Sequence, residues 1–162
     1  LPFCDTVCYY CACNKIITKN RSRTGPYLDR LFREIELQGA LFDRTRRVEQ
    51  LHWGGGTPTF LSHDEMKRLM EIINSHFRLL PGGEYSIEVD PRKVDRETVK
   101  LLAELGFNRM SVGVQDFDPR VQQALRGVVR TSRGSSPLLG PEAFVRAELI
   151  ERLPRLLARG EA

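Results

Sequence analysis

The four cysteines of this chain all lie between residues 4 and 13, so the N-terminal segment is the first place to look for chemistry. Cys4, Cys8 and Cys11 have the spacing C-x3-C-x2-C, and Cys13 follows two residues later. Thiolates are ligands that zinc and iron–sulfur clusters prefer, whereas a disulfide framework gains more by closing longer loops. The segment therefore indicates a metal or cluster site rather than a set of cross-links.

The spacing favours an iron–sulfur cluster over zinc. Structural zinc sites usually close a tetrahedron with two separated pairs of ligands, and this segment has neither a second separated pair nor a histidine. Three cysteines can instead hold three irons of a [4Fe–4S] cluster and leave the fourth iron open. Because Cys13 is only two residues from Cys11, we expect it to lie near the cluster without binding it. A closed zinc site that uses all four cysteines is the alternative.

The elements that must position these cysteines alternate between helices and strands. Apolar residues at helical spacing predict helices, and short apolar runs predict strands. The predicted elements are helices at 23–41, 62–76 and 95–105, strands at 48–53, 84–89 and 108–114, and a turn at 81–83. Helices between successive strands favour right-handed crossovers, so the predicted fold class is α/β with a parallel sheet.

Each predicted strand ends in residues suited to ligand binding. Gly54-Gly55-Gly56-Thr57 follows the first strand, Glu88 lies near the end of the second, and Gln115 follows the third. The carboxyl ends of parallel strands meet at one edge, where ligands bind in α/β folds. Glycines let the backbone approach a ligand, and a carboxylate accepts hydrogen bonds from amines or hydroxyl groups. The simpler alternatives are a tight turn for the glycines and a solvated or salt-bridged glutamate.

The three histidines are scattered along the sequence, and we assign none of them to a metal. His63 and His76 are predicted to be exposed residues on a helix. His52 lies on a strand predicted to be buried, where a core histidine with satisfied hydrogen bonds is the better interpretation.

The charge distribution argues against a nucleic-acid partner. Residues 1–118 carry 17 basic and 17 acidic residues, whereas residues 119–162 carry 8 arginines and 4 glutamates, which is the whole net charge of +4. A nucleic-acid footprint would lie on the folded surface rather than in one tail. No apolar run approaches the roughly 20 residues that span a membrane. We therefore expect neither nucleic acid nor a membrane as a partner, and we expect that residues precede Leu1, which is not a start methionine.

Two motifs resemble those of a known enzyme family, the oxygen-independent coproporphyrinogen III oxidases of the radical S-adenosylmethionine (SAM) superfamily. The first motif is LPFCDTVCYYCACNK at 1–15, and the second is LHWGGGTPT at 51–59. The resemblance implies the N-terminal portion of a partial (β/α)6 barrel with parallel strands. It also implies a [4Fe–4S] cluster on Cys4, Cys8 and Cys11. The residues that it implies for SAM binding are Tyr10, Gly55, Gly56, Thr57, Glu88 and Gln115.

The resemblance also implies a reaction. A SAM-derived radical would remove a hydrogen from propionate groups of coproporphyrinogen III, and loss of CO₂ and an electron would leave vinyl groups and give protoporphyrinogen IX, a step of haem biosynthesis. The implied protein is a cytoplasmic monomer that requires a reducing electron donor. Cys13-Asn14-Lys15 favours the oxidase over a related radical SAM haem chaperone. A zinc-stabilised, non-catalytic fragment is the other alternative.

The likeness covers residues 1 to about 125 and then stops. We interpret 1–125 as an incomplete radical SAM core without its first strand and later βα units, and 126–162 as a divergent Arg-rich tail. The abrupt change resembles translation in another frame or a truncated gene. A partial barrel leaves a sheet edge and apolar faces uncovered, so we expect the isolated chain to be marginally stable and inactive.

Overall fold

Helices and strands alternate along the chain after a short N-terminal loop. The structure is a computed structural model that describes residues 1–8, 11–90 and 93–112. Its elements are the strands β1 (Phe3–Cys4), β2 (Ile16–Ile17), β3 (Arg47–Trp53), β4 (Arg78–Val89) and β5 (Arg109–Val112), and the helices α1 (Thr24–Gly39), α2 (His63–His76) and α3 (Arg96–Glu104). The predictions for Tyr10, Gln115, the end of the third predicted strand and the tail 126–162 fall outside the described residues.

The main sheet has three parallel strands in the order β3-β4-β5. Helix α2 connects β3 to β4, and α3 connects β4 to β5, so each parallel pair is joined through a helix. Strands β1 and β2 form a separate short parallel pair. The predicted α/β class with parallel strands is confirmed, and the arrangement agrees with the N-terminal portion of a partial barrel.

The hydrophobic core lies between the sheet and its helices. Ile87 and Val89 of β4 are buried, as are Met66 of α2 and Leu102 of α3. The single tryptophan, Trp53, is also buried and packs edge-to-face on Phe107 with ring centroids 4.9 Å apart. Its fluorescence therefore reports on unfolding. Among the described residues, no helix is both long and apolar enough to cross a membrane.

The prediction that a turn at 81–83 precedes the second strand is wrong. Strand β4 already begins at Arg78, and its pairing with β3 changes register between Val48, which faces Leu79, and Gln50, which faces Glu84. Six residues of β4 (79–84) therefore lie opposite three of β3 (48–50), and the extra residues bulge out of the ladder. Proline within this bulge fits, because it lacks the N–H group that a regular ladder needs.

The prediction that His63 and His76 are exposed is also wrong, since both are half-buried. His63 Nε2 lies 3.1 Å from Thr98 Oγ1 and thereby joins α2 to α3. The His76 ring packs against Gly39, where an added Cβ would lie 2.9 Å from His76 Cβ. These contacts give both histidines a packing role between elements.

Asp95 caps α3 and supplies a pH-dependent part of the stability. Hydrogen bonds from the Thr98 hydroxyl and N–H groups hold the pKa of Asp95 below its ordinary value. A carboxyl whose pKa falls on folding stabilises above its unfolded pKa of about 4, and this contribution is lost as pH falls through the folded pKa. We expect Asp95→Ala to cost about 1 kcal/mol at pH 7 and Asp95→Asn, which still caps, much less. Urea unfolding followed by Trp53 fluorescence measures both. Equal losses in the two variants would contradict the capping role.

Candidate active site

The N-terminal residues lie along residues 54–57, which follow β3 and which we call the glycine loop. The Leu1 amine donates to the Gly54 carbonyl at 2.9 Å, Gly56 N–H donates to Leu1 O at 2.7 Å, and Thr57 N–H donates to Phe3 O at 2.8 Å. We call residues 1–15, which carry the four cysteines, the cysteine loop. Backbone hydrogen bonds therefore join the start of this loop to the carboxyl end of β3. Two motifs more than 50 positions apart in sequence meet at one edge of the sheet.

Cys4 is the cysteine that this pairing positions most firmly. Its Sγ lies 3.6 Å from Thr57 Oγ1, and its side chain is buried. The preceding residue, Phe3, stacks on Phe60 with ring centroids 5.4 Å apart and meets Tyr27 edge-to-face at 5.3 Å. Aromatic packing thus fixes the backbone immediately before the first candidate ligand and keeps water from that side of it.

The other three cysteines lie on the more open part of the loop. Cys11 N–H donates to Cys8 O at 3.2 Å, which closes a turn between the second and third candidate ligands. Cys8 and Cys11 are half-buried, Cys13 is exposed, and all four thiols are free. Among the described residues, the thiols are not gathered around one point as a preformed metal site. A site of this kind normally closes when the metal binds, because the ligands must first lose their protons.

The electrostatics of the loop separate Cys11 from Cys13. Hydrogen bonds from the Cys13 backbone and then the Lys15 side chain hold the pKa of the Cys11 thiol below its usual value. The pKa of Cys13 is raised by its hydrogen bond to Cys11 and by the nearby Cys11 charge. The contacts in the loop therefore favour Cys11 as the thiolate, and the exclusion of Cys13 from the ligand set stays a prediction.

Lys15 places a positive charge among the candidate ligands. Its Nζ donates to the Cys11 carbonyl at 2.8 Å. The pKa of Lys15 is raised, first by its hydrogen bond to Cys11 and further by the Cys11, Cys8 and Cys4 thiols, against a smaller effect of burial. An ammonium group here favours the deprotonated thiols that a cluster needs.

The glycines of the loop owe their identity to close contact with the chain itself. A Cβ on Gly55, whose φ is +113°, would lie 2.7 Å from Leu1 O. A Cβ on Gly56 would lie 2.5 Å from Phe3 O. Both contacts are shorter than a real side chain tolerates. The structure therefore gives these glycines a packing role, and their contact with SAM stays a prediction.

Glu88 lies at the same edge of the sheet. Its Oε2 accepts a hydrogen bond from Gly55 N–H at 3.0 Å, and 43% of its side chain is exposed. The neighbouring Ile87 and Val89 are buried on the opposite face, because successive side chains of a strand alternate between its two faces. The carboxylate is thus attached to the glycine loop while keeping acceptor capacity open to a ligand.

His52 corrects a prediction, because its side chain is 52% exposed rather than buried in the core. Its Nδ1 lies 2.7 Å from Ser86 Oγ, and its Nε2 lies 3.7 Å from Glu88 Oε1. The signal that could have found this was the alternation of polar His52 with apolar Leu51 and Trp53. Because residues paired across a sheet share a face, the pairing of His52 with Ser86 brings this histidine to the face of Glu88.

Lys93 is a further residue that the sequence reasoning missed. Its ammonium contacts the Asp5 carboxylate, which lies between Cys4 and Cys8 in sequence, and it lies 3.8 Å from Asp90 Oδ2. Burial lowers the pKa of Lys93, and the nearby Cys4 thiol opposes this effect. The lysine thereby ties the cysteine loop to the chain after β4. No spacing pattern relates residues so far apart in sequence.

The sequence predicted a site made of the cysteine loop, the glycine loop, Glu88 and Gln115, and the described residues contain the first three of these parts. The cysteine loop, the glycine loop and Glu88 lie together at the carboxyl ends of β3 and β4. The predicted SAM contacts Tyr10 and Gln115 lie outside the described residues. Three free thiols beside a lysine, close to a partly exposed carboxylate, fit a cluster together with a polar, charged cofactor.

Comparison with known proteins shows the family. The model of the radical SAM superfamily matches residues 1–133. The chain belongs to the radical SAM superfamily. This confirms the membership predicted from the two motifs, and it implies a [4Fe–4S] cluster and SAM as cofactors.

Several similar proteins are more specific. The oxygen-independent coproporphyrinogen III oxidase of Pseudomonas aeruginosa is 57% identical over 127 residues, which are 77% of this radical SAM chain and 28% of that protein. The Escherichia coli protein of the same name is 46% identical over 123 residues, 76% of this chain and 27% of that protein. The solved structure of E. coli coproporphyrinogen III oxidase, described as a radical SAM enzyme, superimposes with a TM-score of 0.77 at 41% identity. It covers 96% of this chain and 32% of that chain. The chain thus spans less than a third of the length of these relatives.

Proposed function

We propose that this chain forms the cluster-binding and SAM-binding part of an oxygen-independent coproporphyrinogen III oxidase. The single observation that carries the proposal is the 3.6 Å contact between Cys4 Sγ and Thr57 Oγ1, which joins the cysteine loop to the glycine loop. The relatives that share this name support the choice within the superfamily. The acceptor Glu88, attached to the same loop through Gly55, supports a cofactor site at this edge.

The residues divide into two groups in this proposal. Cys4, Cys8 and Cys11 would hold the [4Fe–4S] cluster and leave one iron open to SAM. The residues that would contact SAM are Tyr10, Gly55, Gly56, Thr57, Glu88 and Gln115. Cluster and SAM together supply one-electron reductive cleavage when bound, chemistry that no side chain provides.

In this proposal, residues of the chain favour the thiolate ligands, shield one of them from water and hold the carboxylate at the site. Lys15 favours the thiolate form of Cys11 and neighbouring thiols. Packing around Phe3 shields the buried Cys4 from water on one side. The Gly55 N–H holds one Glu88 oxygen at the glycine loop, and the carboxylate keeps its remaining acceptor positions open to a ligand.

The proposed substrate is coproporphyrinogen III, whose propionate groups would be decarboxylated to vinyls to give protoporphyrinogen IX. A reducing electron donor is a required partner, and the proposed enzyme is a monomer. Reduced thiolates of this kind suit the cytoplasm. Because the chain spans 28% of the Pseudomonas relative, we expect the isolated chain to bind the cluster without converting the substrate.

Anaerobic reconstitution with iron and sulfide tests the proposal. We expect about four irons and four sulfides per chain, a broad visible absorption band that dithionite bleaches, and SAM binding by equilibrium dialysis. Stoichiometric zinc without sulfide would contradict the cluster and support the closed zinc site. Formation of 5′-deoxyadenosine at the rate of a full-length relative would contradict the expectation that the isolated chain is inactive.

A further inference from the structure

A row of four polar groups, which we call the polar row, crosses the strand ends from Ser86 through His52 and Glu88 to Gly55. Ser86 Oγ lies 2.7 Å from His52 Nδ1, His52 Nε2 lies 3.7 Å from Glu88 Oε1, and Glu88 Oε2 lies 3.0 Å from Gly55 N. The two Glu88 oxygens therefore face two different groups. One is a backbone amide of the glycine loop, and the other is the imidazole.

The contacts at the two ring nitrogens bear on the tautomer of the imidazole. The Ser86 hydroxyl lies 2.7 Å from His52 Nδ1 and 3.5 Å from the Leu51 carbonyl, so it can donate to Nδ1. Because Nε2 faces the Glu88 carboxylate, the ring hydrogen is favoured on Nε2. That N–H points its positive end toward Glu88, and a protonated ring does the same. At 3.7 Å the contact is electrostatic rather than a direct hydrogen bond.

Gly54 lies next to the polar row, and its lack of a side chain leaves space for His52 and Glu88. A Cβ on Gly54 would lie 2.6 Å from His52 Nε2 and 3.3 Å from Glu88 Cδ. Any larger residue would push the imidazole away from its place beside the carboxylate. The first glycine of the loop is thus explained by the polar row, whereas the next two are explained by the N-terminal residues.

We propose that His52 is a positioning residue that holds the Glu88 carboxylate in the orientation in which it receives SAM. The inference rests on the proposed function, since it takes Glu88 as a SAM contact. Without the imidazole, the Gly55 N–H would provide the one hydrogen bond, among the described residues, to a carboxylate whose side chain is 43% exposed. A carboxylate held at one oxygen alone keeps more freedom, which SAM must remove on binding, so SAM binds more weakly.

Two substitutions of His52 separate positioning from simple packing. The amide of Gln reaches the position of imidazole Nε2, whereas the amide of Asn reaches that of Nδ1. His52→Gln therefore keeps a donor toward Glu88 and loses the partner of Ser86, and His52→Asn does the reverse. Ser86→Ala is a third variant that leaves the ring intact but frees it to rotate.

The first measurement needs no cofactor. Hydrogen exchange of the Gly55 amide in the 162-residue chain should be about tenfold faster in His52→Asn than in the parent, close to the parent in His52→Gln, and intermediate in Ser86→Ala. Trp53 fluorescence checks that each variant is folded. Equal exchange in the Gln and Asn variants, or faster exchange in the Gln variant, would overturn the positioning role.

The second measurement is the SAM dissociation constant of the reconstituted chain. We expect His52→Asn to raise it about tenfold and His52→Gln to raise it less than threefold, at equal iron and sulfide content. The reverse order would show that the Ser86 contact matters and would overturn the inference. If the parent chain holds a cluster but binds no SAM, the proposed function fails, and the Gly55 exchange rates still decide whether His52 positions Glu88.

Discussion

Replacing Cys8 with alanine is expected to abolish cluster binding, whereas replacing Cys13 with alanine should leave about four irons per chain. The reason is that the contacts within the cysteine loop affect the Cys11 and Cys13 thiols in opposite ways. The Cys13 backbone and Lys15 lower the pKa of the Cys11 thiol, whereas the hydrogen bond to Cys11 and the Cys11 charge raise the pKa of the Cys13 thiol. Two remaining candidate ligands cannot hold three irons, so the same total loss is expected for Cys4→Ala and Cys11→Ala.

Iron, sulfide and zinc analysis of anaerobically reconstituted variants measures this effect. Cys13→Ala is the matched control, because it removes a thiol from the same loop and leaves the three candidate ligands in place. Loss of the cluster in this control, with Trp53 fluorescence unchanged, would show that Cys13 belongs to the ligand set. It would also revive the closed site with four cysteines.

Replacing Gly56 with alanine is expected to displace the start of the cysteine loop. The added Cβ would lie 2.5 Å from Phe3 O and 2.9 Å from Pro2 C, and both atoms belong to backbone that cannot rotate away. Relief requires the N-terminal residues to leave the glycine loop, which breaks the hydrogen bond from Thr57 N–H to Phe3 O. We expect a loss of about 2–3 kcal/mol in the free energy of unfolding. Cluster content should fall with it, because Cys4 follows Phe3 directly.

Gly25→Ala is the matched control for this substitution. Gly25 lies in α1, and an added Cβ there meets nothing within 4 Å. Alanine favours a helix over glycine by up to about 1 kcal/mol, so the control should be neutral or slightly stabilising. Urea unfolding of both variants, with iron analysis alongside, distinguishes the two sites. A Gly56→Ala chain as stable as the parent would contradict the close packing between the two loops.

Much of the architecture could be predicted because its signals are local. The Ser62–Glu65 capping box lies at the start of the helix predicted at 62–76, and buried residues alternate along the end of β4. The 81–83 segment was misread because proline and glycine favour both turns and bulges. Only the pairing of β4 with β3 distinguishes these outcomes.

The sequence by itself determined the family, the α/β class, the candidate ligands and the glycine loop, since each depends on residue types at short spacing. The tertiary structure decided which of these residues meet. In it, Cys4 contacts Thr57, Asp5 contacts Lys93, and His52 lies beside Glu88 rather than in the core. Contacts between residues 34 to 88 positions apart depend on strand register and loop packing. No pattern within a single segment contains that information.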